Sequence, residues 1–131
     1  MSIESLVLDS QGLSLWIDRD RKVMPILELA ERAGADLAIS AATIIEVSHG
    51  GVDIARLNWL LSRIRVEPVT QESARRSASL LKEAKLHGHK YAIGAMAAEV
   101  ALRLPGLVVV LTSDVDDLTK LRGPRVRVIG L

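Results

Sequence analysis

The chain is 131 residues long and 49% hydrophobic, a size and composition that suit one domain, residues 1–131, around one sizeable core. Its 17 Lys and Arg against 16 Asp and Glu exclude a global basic field and an acidic tail, so any nucleic-acid contact has to come from a local patch. With no cysteine there are no disulfides, no Cys-ligated zinc and no thiol catalysis, a usage that fits a cytoplasmic protein. The core must be aliphatic, because the only aromatic residues are Trp16, Trp59 and Tyr91. The first residues carry no basic stretch before an apolar one, as a secretory leader would. The longest apolar run, Leu107 to Leu111, is well below the roughly 20 residues that span a bilayer, so no membrane association is expected.

Strand-like and helix-like runs alternate along the chain. Leu6-Val7-Leu8 reads as a short buried strand. Pro25 opens a helix over residues 26–33, with Ile26, Leu29, Ala30 and Ala33 on one face and Gly34 beyond its end. Leu37-Ala38-Ile39 is the next strand, and Thr43 starts a short helix through Val47 that Gly50-Gly51 stops. Asp53 precedes a helix over residues 54–64 whose apolar face is Ile54, Leu57, Leu60, Leu61 and Ile64. Residues 66–69 are extended. Thr70 reads as the N-cap of a helix from Gln71 to about residue 86, ended by Gly88. Residues 91–104 form a helix that is apolar almost all round and therefore central, ended by Pro105-Gly106. Residues 107–111 are a continuous aliphatic strand covered on both faces, 115–121 a short helix and 126–129 a last strand. Short strands separated by helices imply βαβ units, hence an α/β fold with a central parallel sheet and right-handed crossovers.

Three acids follow strands: Asp9 after Leu6-Val7-Leu8, Glu46 after Leu37-Ala38-Ile39 and a turn, and Asp114 after Val108-Val109-Val110-Leu111-Thr112-Ser113. Singly, each has a structural reading. Asp9 suits a turn or a helix N-cap. Thr43-x-x-Glu46 has the spacing of a capping box. Asp114, Asp116 and Asp117 can offset the positive end of the helix that follows, with Ser113-x-x-Asp116 as a weaker cap. Together they have a functional reading. In an open parallel sheet the crevice lies outside the carboxyl ends of the strands, so Asp9 and Asp114 converge if their strands are neighbours. Clustered carboxylates repel one another, and a hard cation such as Mg²⁺ or Mn²⁺ relieves the repulsion.

The ordered set resembles a known family. Leu6-Val7-Leu8-Asp9-Ser10, then Glu46 on a short helix, then Gly88-His89-Lys90-Tyr91-Ala92-Ile93, then Leu111-Thr112-Ser113-Asp114-Val115-Asp116-Asp117-Leu118 are similar to the successive motifs of PIN-domain proteins, and most of all to the VapC-type toxins of bacterial toxin–antitoxin pairs. The resemblance implies a three-layer α/β/α domain and an endoribonuclease dependent on Mg²⁺ or Mn²⁺. It also implies a homodimer and a cognate antitoxin that blocks the site. Asp9 and Asp114 are then the expected metal ligands, Glu46 completes the cluster directly or through water, and Asp117 supports it from the same helical face.

One position departs from that pattern. After Tyr91-Ala92-Ile93 the family carries a further aspartate, and this chain has Gly94. Glycine offers no ligand and costs about 1 kcal/mol relative to alanine inside a helix. Glu99 lies about 140° further round the helix and is not a replacement, and Ala98 offers no donor. An inactivating substitution is the preferred account, a natural variant with weakened metal binding the other.

His87, His89 and Lys90 are placed either in a helix-end loop or beside the acidic cleft on RNA phosphates, with Arg75, Arg76, Lys82 and Lys85 extending the patch or forming a solvated helix face. Trp16 and Trp59 read as core or partner-contact residues. The chain has no GxxxxGK[ST], GxGxxG or GxSxG pattern, which leaves nucleoside triphosphate binding, dinucleotide binding and serine hydrolysis unsupported. Beside the endoribonuclease stand a non-catalytic PIN-like module that binds RNA or an antitoxin and, least favoured, a receiver-like domain with an acceptor aspartate.

Overall fold

The structure is a computed structural model that describes residues 3–114 and 126–131. In chain order its elements are β1 (Ser5–Leu8), α1 (Ser10–Ile17), α2 (Val23–Arg32), β2 (Asp36–Ser40), α3 (Thr43–Val47), α4 (Ile54–Leu61), β3 (Arg65–Glu67), α5 (Gln71–Ala84), α6 (Gly88–Arg103), β4 (Val108–Thr112) and β5 (Val126–Gly130). The strands form one parallel sheet in the order β3-β2-β1-β4-β5.

That order fixes the layers. The chain steps outward from β1 to β2 to β3, then crosses back to place β4 on the other side of β1. Right-handed crossovers therefore put α1 to α4 on one face and α5 and α6 on the other. Alternation along the strands fills both sides. Leu6, Leu8, Leu37, Ile39, Val109 and Leu111 pack with Leu13, Trp16, Leu27, Val47, Leu57 and Leu60 on the first face. Val7, Ala38, Val108 and Val110 pack with Leu81, Ala95, Ala98 and Ala101 on the second. This is the three-layer α/β/α arrangement, and its aliphatic strands are buried on both faces, as a parallel sheet requires.

Several local features differ from the sequence reading. Helix α1 was not expected: Gly12, Ser10 and Ser14 are poor helix formers, yet Leu13, Trp16 and Ile17 at i, i+3 and i+4 bury one face. Helix α4 stops at Leu61, and Ile54 is 57% exposed rather than part of its inner face. Helix α5 ends at Ala84 because Lys85 turns left-handed with φ 56°, so Gly88 opens α6 and does not terminate α5. Its start is as expected: Thr70 and Ser73 cap each other's backbone amides. The helix expected over residues 115–121 lies outside the described residues.

Helix α6 is buried through Ala95, Ala97, Ala98, Val100 and Ala101, and it also buries a charge. Glu99 is 3% exposed. Arg103, one turn on, donates to it from Nε at 3.0 Å and from Nη2 at 3.2 Å, and from Nη1 to Glu67 at 3.4 Å. Arg76 of α5 stands 3.9 Å from Glu99, and Arg65 2.8 Å from Glu67. The bidentate bond from Glu99 holds the Arg103 pKa above its ordinary value, against partial burial. Arg103 thus ties α6 to β3 at the edge of the sheet. Its replacement by methionine leaves two buried carboxylates without their shared cation. Arg103→Met is expected to lower the unfolding free energy by about 2–4 kcal/mol, read by urea denaturation. A loss below about 0.5 kcal/mol would place the pair among ordinary surface bridges.

Candidate functional site

Strands β1 and β4 are hydrogen-bonded neighbours, with Leu8 opposite Leu111. They are the strands at which the crossovers change direction, the switch point where such sheets open a crevice. Asp9 leaves β1 and Asp114 leaves β4 at the same edge. Thr112, fully buried, joins them: its hydroxyl donates to Asp9 Oδ2 and accepts from the Asp114 backbone N–H at 2.9 Å.

Asp9 has two local tasks. Its Oδ1 accepts from the Gly12 N–H at 2.8 Å, which makes it the N-cap of α1. The capping reading and the site reading of Asp9 therefore hold together. Gly12 is needed for this approach, because a Cβ there would stand 3.0 Å from the Leu111 carbonyl and 3.3 Å from Leu8. Asp9 is 7% exposed. Burial is the main reason its pKa lies above the ordinary carboxylate value, and the charge of Asp114 adds to it, while hydrogen bonds from Thr112, Gly12 and the Ser113 backbone oppose the rise.

Glu46 is not engaged in a capping box. Ala42 is the cap residue of α3 and makes no side-chain cap bond. The Glu46 carboxylate instead accepts from the Ser10 hydroxyl, beside Asp9. The third acid is thereby drawn to the start of α1 without touching the other two. Among the described residues no group of three His, Cys, Asp or Glu stands close enough to hold a metal ion. Asp116 and Asp117 lie outside the described residues.

The position expected to carry a further carboxylate is open. Helix α6 ends where the chain turns into the start of β4, so its first half lies toward the carboxyl edge of the sheet. Among the described residues a Cβ at Gly94 would meet nothing beyond its own helix within 4 Å. His87, His89 and Lys90 are exposed at the start of α6. His87 Nδ1 accepts from the His89 N–H at 3.3 Å and so caps the helix, and Lys90 Nζ lies 5.3 Å from the centre of the Tyr91 ring. Of the other basic residues, Arg76 is paired with Glu72, while Arg75, Lys82 and Lys85 are exposed. Trp16 is core and Trp59 is exposed.

Asp9 and Asp114 fit a hard divalent cation as a two-carboxylate site, since Mg²⁺ is commonly held by one or two carboxylates and several waters. Glu46, held by the hydroxyl of Ser10 next to Asp9 in the chain, is an acceptor for a water at this end of the sheet.

Comparison of the sequence with protein-family models and with characterised proteins finds no match. Solved structures do match over nearly the full length. A chain of VapBC2 from Rickettsia felis, solved with a DNA fragment from its promoter, gives a TM-score of 0.68 at 14% identity, covering 96% of this chain and 98% of that one. A chain of DNA-bound VapBC from Salmonella typhimurium gives 0.67 at 17%, with 98% of each covered. A toxin–antitoxin complex from Klebsiella pneumoniae gives 0.66 at 24%, with 93% and 95% covered. The chain shares the fold of these chains of toxin–antitoxin complexes, and within that fold the Asp9–Thr112–Asp114 cluster stands at the switch point.

The raised Asp9 pKa sets a pH dependence. The native state holds the proton more tightly than the unfolded chain, so stability contributed by this group falls as pH rises from the unfolded value near 3.8 through the native one, and the cost is complete above it. Asp9→Asn keeps the cap and removes the charge. In EDTA at pH 7 it is expected to melt about 2–4 °C higher than the parent, with the difference vanishing in acid. Mn²⁺ is expected to raise the parent's midpoint and leave the variant's unchanged. A variant less stable than its parent at pH 7 would mean that Asp9 is already balanced by its hydrogen bonds.

Proposed function

We propose that this chain is the toxin component of a toxin–antitoxin pair, a ribonuclease dependent on Mg²⁺ or Mn²⁺ whose activity is weakened at Gly94. The observation that carries the reading is the convergence of Asp9 and Asp114 on Thr112 at the switch point. A fold shared with chains of VapBC complexes supports it.

Asp9 and Asp114 would hold the cation, with Asp117 as supporting acid. Bound there, a divalent ion lowers the pKa of its water and stabilises the charge that develops on a phosphodiester under attack. The protein's own part is positional. Thr112 fixes the direction of the Asp9 carboxylate, the α1 cap fixes its rotamer, and Ser10 holds Glu46 where it can accept a proton from water. His87, His89 and Lys90 meet the RNA backbone at the start of α6 as exposed donors and cations. The cognate antitoxin is the protein partner, the active form is a homodimer, and the compartment is the cytoplasm. Among the described residues no helix is long and apolar enough to cross a membrane.

The vacant position 94 favours one other reading, a PIN-like module that binds RNA or the antitoxin without cleaving. The two separate in one experiment. Room for a side chain means that Gly94→Asp folds, and with Mn²⁺ it is expected to cleave labelled RNA at least about tenfold faster than the parent, with the gain lost on adding Asp9→Asn. Equal cleavage by both chains would remove position 94 from the mechanism. No cleavage by either, with no saturable Mn²⁺ binding by calorimetry, would establish the non-catalytic module.

A further inference from the structure

Tyr91 is an aromatic ring at the acidic end of the sheet that the acidic cluster does not use. It is the only tyrosine in the chain. Trp16 is core, and Trp59 belongs to α4 on the other face. Along α6, Tyr91, Ala95 and Ala98 follow one another at i, i+4 and i+7 and share a side of the helix. Ala95 and Ala98 are buried in one cluster with Val7 and Val110, and the half-buried Tyr91 packs against that cluster. One turn back along α6 from Ala95 is about 6 Å. Two residues on from Val7 and Val110, about 6–7 Å along the strands, are Asp9 and Thr112. The ring therefore overhangs the edge at which Asp9 and Asp114 leave the sheet.

Two features set it apart from a core tyrosine. A buried phenol ordinarily finds a partner for its hydroxyl, and among the described residues this hydroxyl has none. Position 94, three residues on and on the same side, has open space where a Cβ would stand, so no side chain there fences the ring from the cleft. Basic residues flank it. Lys90 Nζ stands 5.3 Å from its ring centre, and Lys82, Lys85, His87 and His89 are exposed. Among the described residues none of the three lysines is ion-paired, and Glu83 is the only acid between positions 82 and 91. No large apolar side chain of this stretch is exposed, which leaves a protein partner no hydrophobic anchor. An accessible ring among unpaired cations is the composition that binds single-stranded nucleic acid, with bases stacked on rings and cations along the phosphates.

We propose that Tyr91 is the stacking platform for one unpaired base of an RNA that crosses this edge, with Lys90 on the phosphate beside that base. The base takes the ring face over which the Lys90 ammonium lies, and the ammonium moves to the phosphate, a stronger partner for it than the ring. The proposal rests on the reading that RNA meets this edge, and it makes Tyr91 the residue that sets which nucleotide lies beside the acids.

A single tyrosine makes the test direct, because 3-fluorotyrosine gives the full chain one ¹⁹F resonance at the site. The probes are octaadenylate and an abasic ribose-phosphate octamer of the same charge, each titrated in EDTA so that neither metal binding nor cleavage enters. Octaadenylate is expected to shift the resonance saturably and to bind at least about fivefold tighter than the abasic octamer. Tyr91→Leu is expected to bring octaadenylate down to the abasic affinity, Tyr91→Phe to keep the preference, and Lys90→Gln to weaken both octamers alike. An unmoved resonance, equal affinity of the parent chain for the two octamers, or an undiminished preference in Tyr91→Leu would each overturn the proposal. The comparison of octamers on the parent chain decides even where the leucine variant fails to fold. Binding of the abasic octamer with no preference for bases would remove the stacking role and leave the RNA reading standing, whereas binding of neither octamer would remove both.

Discussion

The hydroxyl of Thr112 is the point on which the acidic edge depends. It is buried at the end of the most apolar strand, donates to one acid and accepts from the backbone of the other. A hydroxyl is the smallest group that does both, which a valine of the same shape does not. Because β1 and β4 are hydrogen-bonded in register, the link costs the backbone no distortion: Leu8 is already opposite Leu111 when Asp9 leaves the sheet. The parallel pairing brings two like charges together, and the hydroxyl holds one of them in a fixed direction. A fold selected for stability alone would have a neutral side chain there, since burying a carboxylate without a counter-charge is unfavourable.

Asp9 shows why structural and functional readings of one residue need not compete. Its two oxygens have separate partners, Gly12 N–H on one and the Thr112 hydroxyl on the other. The cap anchors α1, α1 carries Ser10, and Ser10 carries Glu46. The third acid is thus located by the same short helix that the first acid begins. Gly12 completes this corner, because only a residue without a Cβ lets the first turn of α1 lie against the Leu111 carbonyl.

The layers, the parallel sheet and most helices were legible in the sequence because alternating aliphatic strands and periodic helices each carry a strong pattern. The pairing of Asp9 with Asp114 was legible only as a condition, that their strands be neighbours, and the strand order meets it. What was hidden had physical reasons. Helix α1 is stabilised by tertiary burial of Leu13, Trp16 and Ile17 against weak local propensity. The bond of Glu46 to Ser10 spans a sequence separation that no local motif reports, while the Thr43 spacing pointed to a cap that does not form. The burial of Glu99 was invisible because Arg76 of α5 joins Arg103 of its own helix, and Arg103 in turn reaches Glu67 of β3. The bond of Arg56 to the Trp16 carbonyl escaped notice because the two residues are far apart in the chain and meet only when α1 packs on α4.

The contrast between positions 9 and 94 bears on how such a site loses function. Asp9 is bound into the fold through the cap and through Thr112, so its loss disturbs α1 and with it Glu46. Among the described residues nothing beyond its own helix lies within 4 Å of where a Cβ at position 94 would stand, and α6 is held by Ala95, Ala98, Ala101 and the Glu99–Arg103 pair. Glycine there costs the helix about 1 kcal/mol, within what a domain of ordinary stability tolerates. A carboxylate at an uncoupled position contributes only charge to the site, so its removal changes the electrostatics of the cleft and leaves the fold standing. Position 94 is therefore where a carboxylate can be introduced at least structural cost to α6.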